Sequence, residues 1–173
     1  MRHAPTLSSG LCVGDGDVPC LIPAQEAAEK ILSLVASRAF QNVWSSPSPR
    51  CLLPARLVAD RLALPLHVDD GLKEMHLGRW QMQPWTAIAS FDPVTYQAWM
   101  ADWLTQAPPD GERPEQLSKR VSAWWNSLCK GDHLLVAHAG VVRALHVLTR
   151  GMSWPEAMQT PVMHLEGYWF GTG

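Results

Sequence analysis

The stretch Asp132 to Arg143, D-H-L-L-V-A-H-A-G-V-V-R, constrains this chain more than any other. His133 to Ala137 is an apolar run of strand length, and Gly140 leads into a helical pattern that runs to about Leu148. A buried strand thus ends at His138, and a small turn hands the chain to a helix. Val43 to Arg50, V-W-S-S-P-S-P-R, is a second junction of this kind. Its strand, Asn42 to Ser46, is stopped by Pro47 and Pro49. A helix then runs from about Pro49 to Ala63, with Pro54 either in its first turns or kinking it.

The remaining segments fit around these two junctions. Arg2 to Cys20 is loop-like, broken by Gly10, Gly14, Gly16 and Pro19. Ala27, Ile31, Leu34 and Val35 recur at helical spacing after Pro23, and Leu66 to Val68 forms a short strand. Tyr96, Trp99, Met100 and Trp103 share one helical face. Glu115 to Leu128 is helical by pattern, and Val162 to Phe170 forms a last strand. Strands alternating with helices predict an α/β domain with a largely parallel sheet. A length of 173 residues suits one domain, expected over residues 1–173.

Composition narrows the function. Apolar residues at 47% and charged residues at 17% describe a globular chain. A net charge of −2 gives no basic excess for nucleic acid. No apolar run approaches the roughly 18 residues of a membrane span, and the N-terminus lacks a signal-peptide pattern. No membrane partner is expected, and the cytoplasm is the expected location. Cys12, Cys20, Cys51 and Cys129 include no C-x-x-C and are expected as free thiols. The seven histidines match no zinc pattern, so neither metal nor cofactor is expected.

Four places could carry chemistry. His138 stands at a strand end before a helix N-terminus, where free N–H groups suit a phosphate. Arg50 follows the other strand end, with a fork of donors matched to phosphate oxygens. His3, beside Arg2, is a potential nucleophile toward phosphorus. Glu74, in G-L-K-E-M-H-L-G-R-W, is a carboxyl group among apolar residues that could donate a proton. Taken singly, each has a plainer explanation: a satisfied strand-end histidine, a surface arginine, an exposed terminal histidine, a glutamate in a turn.

Taken together, the chain resembles the histidine phosphatase superfamily, also called phosphoglycerate mutase-like. Its R-H-G motif stands here as Arg2-His3-Ala4, and its S-S-P with a nearby arginine as Ser45-Ser46-Pro47 and Arg50. Its L-x-E and G-x-W correspond to Leu72, Glu74, Gly78 and Trp80. Its last motif corresponds to Ala137-His138-Ala139-Gly140-Val141-Val142-Arg143. Within the superfamily, Gly10-x-Cys12-x-Gly14, Tyr96-x-Ala98-Trp99-x-x-Asp102-Trp103, and Pro109-x-Gly111-Glu112 through Arg120-Val121 are most similar to the α-ribazole phosphatase subfamily.

The resemblance implies a three-layer αβα sandwich and a metal-independent phosphomonoesterase working through a phosphohistidine. It implies His3 as nucleophile, Arg2, Arg50 and His138 as phosphate donors, and Glu74 as acid and then base. Thr6, Ser9, Ala139 and Gly140 would bind substrate. The partner implied is a small phosphorylated molecule, α-ribazole 5′-phosphate, and a homodimer is compatible with this. A phosphoglycerate mutase, a broad-specificity phosphatase and an impaired ligand-binding member of the fold are the alternatives.

The sequence departs from the pattern in places. Ala4 stands where the family has glycine, and its methyl could press on the phosphate. Ala139 also stands where glycine is frequent. Ser9 replaces an asparagine, and Gln81 replaces a glutamate. Only Met1 precedes Arg2, where relatives carry a strand of several residues. The first β-strand is therefore expected to be truncated, with His3 on a mobile end unless another segment or chain pairs with it.

Overall fold

The computed structural model describes residues 1–171. Three short parallel strands form the sheet: β2 (Asn42–Ser45), β3 (Leu66–Val68) and β5 (His133–Val136), in the order β3-β2-β5. Helices α1 (Ala24–Val35) and α2 (Pro49–Leu62) cover one face, and α5 (Pro114–Ser127) and α6 (Ala139–Arg150) the other. Side chains alternate across the strands accordingly. Val43, Leu134 and Val136 join the α1–α2 core, while Trp44, Leu135 and Ala137 face α5 and α6. This is the three-layer αβα sandwich with a parallel sheet.

The helix boundaries have local causes. Pro49 and Pro114 occupy first-turn positions, where a missing N–H costs nothing. Pro54 lies inside α2 and removes one hydrogen bond, to the Arg50 carbonyl. Gly151, with φ 65°, ends α6 in a left-handed cap.

The chain start is held by backbone pairing. Arg2 pairs in parallel with Ala137 at the end of β5. Ala137 N donates to Met1 O and His3 N to Ala137 O, each at 3.0 Å, and Met1 N donates to Leu135 O at 2.8 Å. On the other side, Leu165 N donates to Arg2 O at 3.0 Å. Residues 1–3 are thus held between two segments of this same chain, and His3 is buried rather than mobile.

The stretch Val162 to Phe170 is not a strand. Its aromatic residues pack as a plug instead. Tyr168 and Phe170 meet the His146 ring edge-on, and Trp169 stacks on Phe40 beneath the Arg38 guanidinium. Side-chain packing has taken the place of a hydrogen-bonded ladder.

Between β3 and α5 lies a segment with little regular structure. It holds β4 (Gln83–Pro84), α3 (Trp85–Phe91) and α4 (Pro93–Ala101). β4 pairs antiparallel with β1 (Leu11–Cys12), two residues each, which ties the 10–20 loop to this segment. The helix α4 stops before Trp103, so the four aromatic and methionine residues do not share one helix. A last helix, α7 (Trp154–Gln159), begins with a capping box between Ser153 and Glu156.

Ala63 closes α2 at φ 53°, a left-handed conformation that its Cβ disfavours, and it is exposed. Ala63→Gly should raise the unfolding free energy in urea by about 1 kcal/mol.

Candidate active site

His3, Arg2, Thr6, Arg50, Glu74 and Gly140 converge on one cavity of about 530 Å³. It opens beyond the carboxyl ends of β2 and β5, where the two junctions turn from strand to helix. This is the usual ligand position in parallel α/β sheets.

The His3 ring is fixed in orientation. Its Nδ1 lies 2.6 Å from the carbonyl oxygen of Ala4, which can only accept, so Nδ1 carries the proton and Nε2 presents a lone pair. Burial pushes the imidazole down to about 3, although the bond to Ala4 opposes this; the charges of Arg50, His164 and Arg2 push the same way as burial. The ring is therefore neutral at pH 7. His138 meets it edge-on, with centroids 5.2 Å apart.

His138 does not line the cavity. It is wholly buried behind His3, with Nε2 2.8 Å from Ser46 Oγ and 3.6 Å from Cys51 Sγ. Burial, then the nearby Arg50 and His3, hold it well below the usual histidine range. Its ring is neutral, so the positive charge in this site comes from arginine.

Arg50 is buried and uses two of its five donors on the carbonyls of Gly16 and Gly14, the latter at 3.0 Å. It thereby holds the 10–20 loop at the cavity edge. Arg2 donates through Nη1 to Val162 O at 2.7 Å, and its buried Nε has no partner among the described residues. The Glu74 carboxylate accepts from Met75 N at 2.9 Å and Gly140 N at 3.1 Å. It is seated on the N-terminus of α6. The absence of a side chain at Gly140 makes this possible: a Cβ there would lie 2.1 Å from Glu74 Oε1.

The other expected residues divide. Thr6 lines the cavity and its Oγ1 pairs with Ser8 Oγ at 2.7 Å. Ser8 lines it too, whereas Ser9 is exposed and outside it. Leu11 N donates to Ser8 O at 3.0 Å, closing a turn that carries Ser9. Ala139 is buried in the core on Val142 and Val162 rather than in the wall. Ala4 is 1% exposed and also outside the wall, so its methyl presses on no ligand. Gln81 is structural: its Oε1 accepts from Leu77 N and Asp15 N.

Two features escaped the sequence reading. Arg143, quoted only as part of a motif, lines the cavity while its Nε holds Ala157 O at 3.2 Å. His164 Nδ1 donates to His3 O at 2.8 Å, and its ring lies 5.2 Å from that of His3. Arg143 stands in the first turns of α6, within the last motif, whereas His164 has no sequence signal because its place depends on the return of the chain after α6.

The rest of the wall is apolar. Trp99, Met100 and Trp103 form one side, and Trp154 and Met158 another. Trp85 stacks on Trp99 behind the wall, and Trp80 is fully buried, its Nε1 bonded to Asp92 at 3.0 Å. Trp99 and Trp103 thus reach the cavity, whereas Trp80 is core.

Comparison with known proteins agrees with this arrangement. The family model of the histidine phosphatase superfamily (branch 1) matches residues 1–167. Adenosylcobalamin/alpha-ribazole phosphatase of Escherichia coli strain K12 is 30% identical over 158 residues, covering 88% of this chain and 78% of that one. The crystal structure of the alpha-ribazole phosphatase from Shigella flexneri superposes with a TM-score of 0.84 at 29% identity, over 95% of this chain and 85% of that one. A mycobacterial glucosyl-3-phosphoglycerate phosphatase in complex with inorganic phosphate gives 0.73 at 26% identity, over 90% and 80%.

The neutral His3 links pH to stability. Folded, it takes up a proton only near pH 3; unfolded, it does so below its ordinary 6.5. Between these values the unfolded state holds more protons. The His3 contribution is therefore full above pH 6.5 and is lost as the pH falls toward 3. Urea unfolding free energies measured from pH 7 to pH 4 should decline, and less steeply in His3→Asn.

Proposed function

The chain belongs to the histidine phosphatase superfamily, and we propose that it is a phosphatase whose substrate is α-ribazole 5′-phosphate, hydrolysed through a phosphohistidine on His3. The orientation of the His3 ring carries the mechanistic part. A nucleophile toward phosphorus needs a free lone pair at neutral pH, and the bond from Nδ1 to Ala4 O leaves Nε2 free.

In this reading Arg2 and Arg50 take the equatorial oxygens of the phosphoryl group. Both side chains line the cavity, and the one hydrogen bond of Arg2 among the described residues, from Nη1 to Val162 O, leaves Nη2 for an anion. Both cations stabilise charge better in a desolvated site than in water. His3 Nε2 attacks in line, the ester P–O bond breaks, and Glu74 gives its proton to the departing alkoxide. Water then enters, Glu74 takes its proton, and the N–P bond breaks to release inorganic phosphate. His138 holds the His3 ring from behind. Thr6 and Ser8 contribute hydroxyl groups at the cavity edge.

The substrate assignment rests on the wall and on the relatives. Trp99, Trp103 and Trp154 line the cavity with aromatic surface on which a base can stack, and the flexible Met100 and Met158 can adapt to its outline. The extent of this apolar surface favours α-ribazole phosphate over phosphoglycerate, which has no aromatic group to bury. Arg143 is available for the ribose hydroxyls.

Rapid quenching should trap one acid-labile phosphate per chain, and His3→Ala should abolish both the trapped phosphate and turnover. Turnover that survives in His3→Ala would end the mechanism. Trp103→Ala should lower kcat/KM for α-ribazole 5′-phosphate by roughly fivefold, about 1 kcal/mol of lost stacking, while sparing 3-phosphoglycerate.

A further inference from the structure

Glu74 stands in a segment without regular secondary structure, between short 3-10 turns at Asp70–Leu72 and Gly78–Trp80. A carboxyl group that must reach a leaving oxygen needs a fixed backbone, and no ladder supplies one here. Arg120 of α5 does. Its Nη1 donates to the carbonyls of Gly71 at 2.8 Å and Lys73 at 2.6 Å, and its Nη2 to that of Glu74 at 2.9 Å. Its Nε and Nη2 also clasp both oxygens of Glu112, each at 2.9 Å. A guanidinium has five N–H donors, and these five bonds use them all.

Glu112 extends the brace. Its Oε2 accepts from His76 N at 2.9 Å, and its own N–H donates to His76 O at 2.7 Å. The backbone is therefore held on both sides of Glu74. Burial alone would raise the Glu112 carboxyl, but the hydrogen bonds from Arg120 and the His76 amide, with the Arg120 charge, hold it below the usual range. The pair is ionised at neutral pH, as a bidentate clasp requires.

Arg120 does not line the cavity. We propose that it is the positioning residue for proton transfer by Glu74, fixing the 71–76 backbone so that the carboxyl group reaches the ester oxygen. This rests on the reading of Glu74 as the proton donor. As the bond from His3 Nε2 to phosphorus forms, the P–O electron pair passes to the ester oxygen, which receives the proton from Glu74. A displaced carboxyl slows that step and leaves phosphate binding intact.

The test compares kcat/KM for 2-phenylethyl phosphate, whose leaving alkoxide needs a proton, with 4-nitrophenyl phosphate, whose leaving group does not. Glu74→Gln first tests the premise: it should slow only the alkyl ester, by about 10²-fold or more. Equal slowing of both esters would remove the proton-donor reading itself. Arg120→Lys keeps the charge but has three donors for five acceptors. It should slow the alkyl ester by about tenfold and the aryl ester by less than about threefold, with inhibition by inorganic phosphate unchanged. The double variant Glu74→Gln/Arg120→Lys should be no slower on the alkyl ester than Glu74→Gln alone. With the premise upheld, equal slowing of both esters by Arg120→Lys, or multiplied losses in the double variant, would overturn the proposal. Should Arg120→Lys not fold, Glu112→Gln decides by the same ratio of the two esters.

Discussion

The parallel bridge between Arg2 and Ala137 fixes more of this molecule than any other contact. Two backbone bonds through Ala137 attach residues 1–3 to the end of β5, one residue before His138. Strand pairing therefore brings the two histidines together, and their rings meet edge-on without any side-chain bond between them. The same bridge aims the Arg2 guanidinium at the cavity and buries the His3 ring. From that burial follow the neutral imidazole and its dependence on pH.

Around this bridge the site has a consistent electrical design. The histidines are neutral, the positive charge sits on Arg2 and Arg50, and the acidic group is seated on a helix N-terminus. Each charged side chain is oriented by backbone. Arg50 holds loop carbonyls, Arg2 holds Val162, and Glu74 accepts from two amides. Backbone partners are hard to displace, so little reorganisation is left for the reaction itself.

Much of this was legible in the sequence because the informative residues sit at junctions. A strand that ends in a histidine and turns into a helix can point only to the carboxyl end of the sheet, and both junctions were found. The large helices were legible from periodicity. What failed depended on long-range packing. Val162 to Phe170 has the composition of a strand, yet its aromatic residues are used as a plug over His146, Phe40 and Arg38. The brief β1–β4 pairing and the α3 helix are too short to carry a pattern. The motif points to Ser9, whereas Ser8 lines the cavity. The role of Arg120 was invisible, since its five acceptors are mostly carbonyls, which any sequence provides.

The cavity is assembled from two sources with different histories of constraint. Apart from Glu74, which lies between two short turns, the groups proposed for the chemistry stand at strand ends and on helix starts, where the sheet leaves them little freedom. The aromatic wall comes from α4, the residues just after it, and α7, none of which belongs to the sheet. Substitutions in Trp99, Met100, Trp103 or Met158 can thus redraw the shape of the pocket without moving His3. A scaffold divided in this way can change what it accepts in small steps while its reaction stays the same. In evolutionary terms, the short helices beside the sheet are where new substrate ranges would be expected to arise.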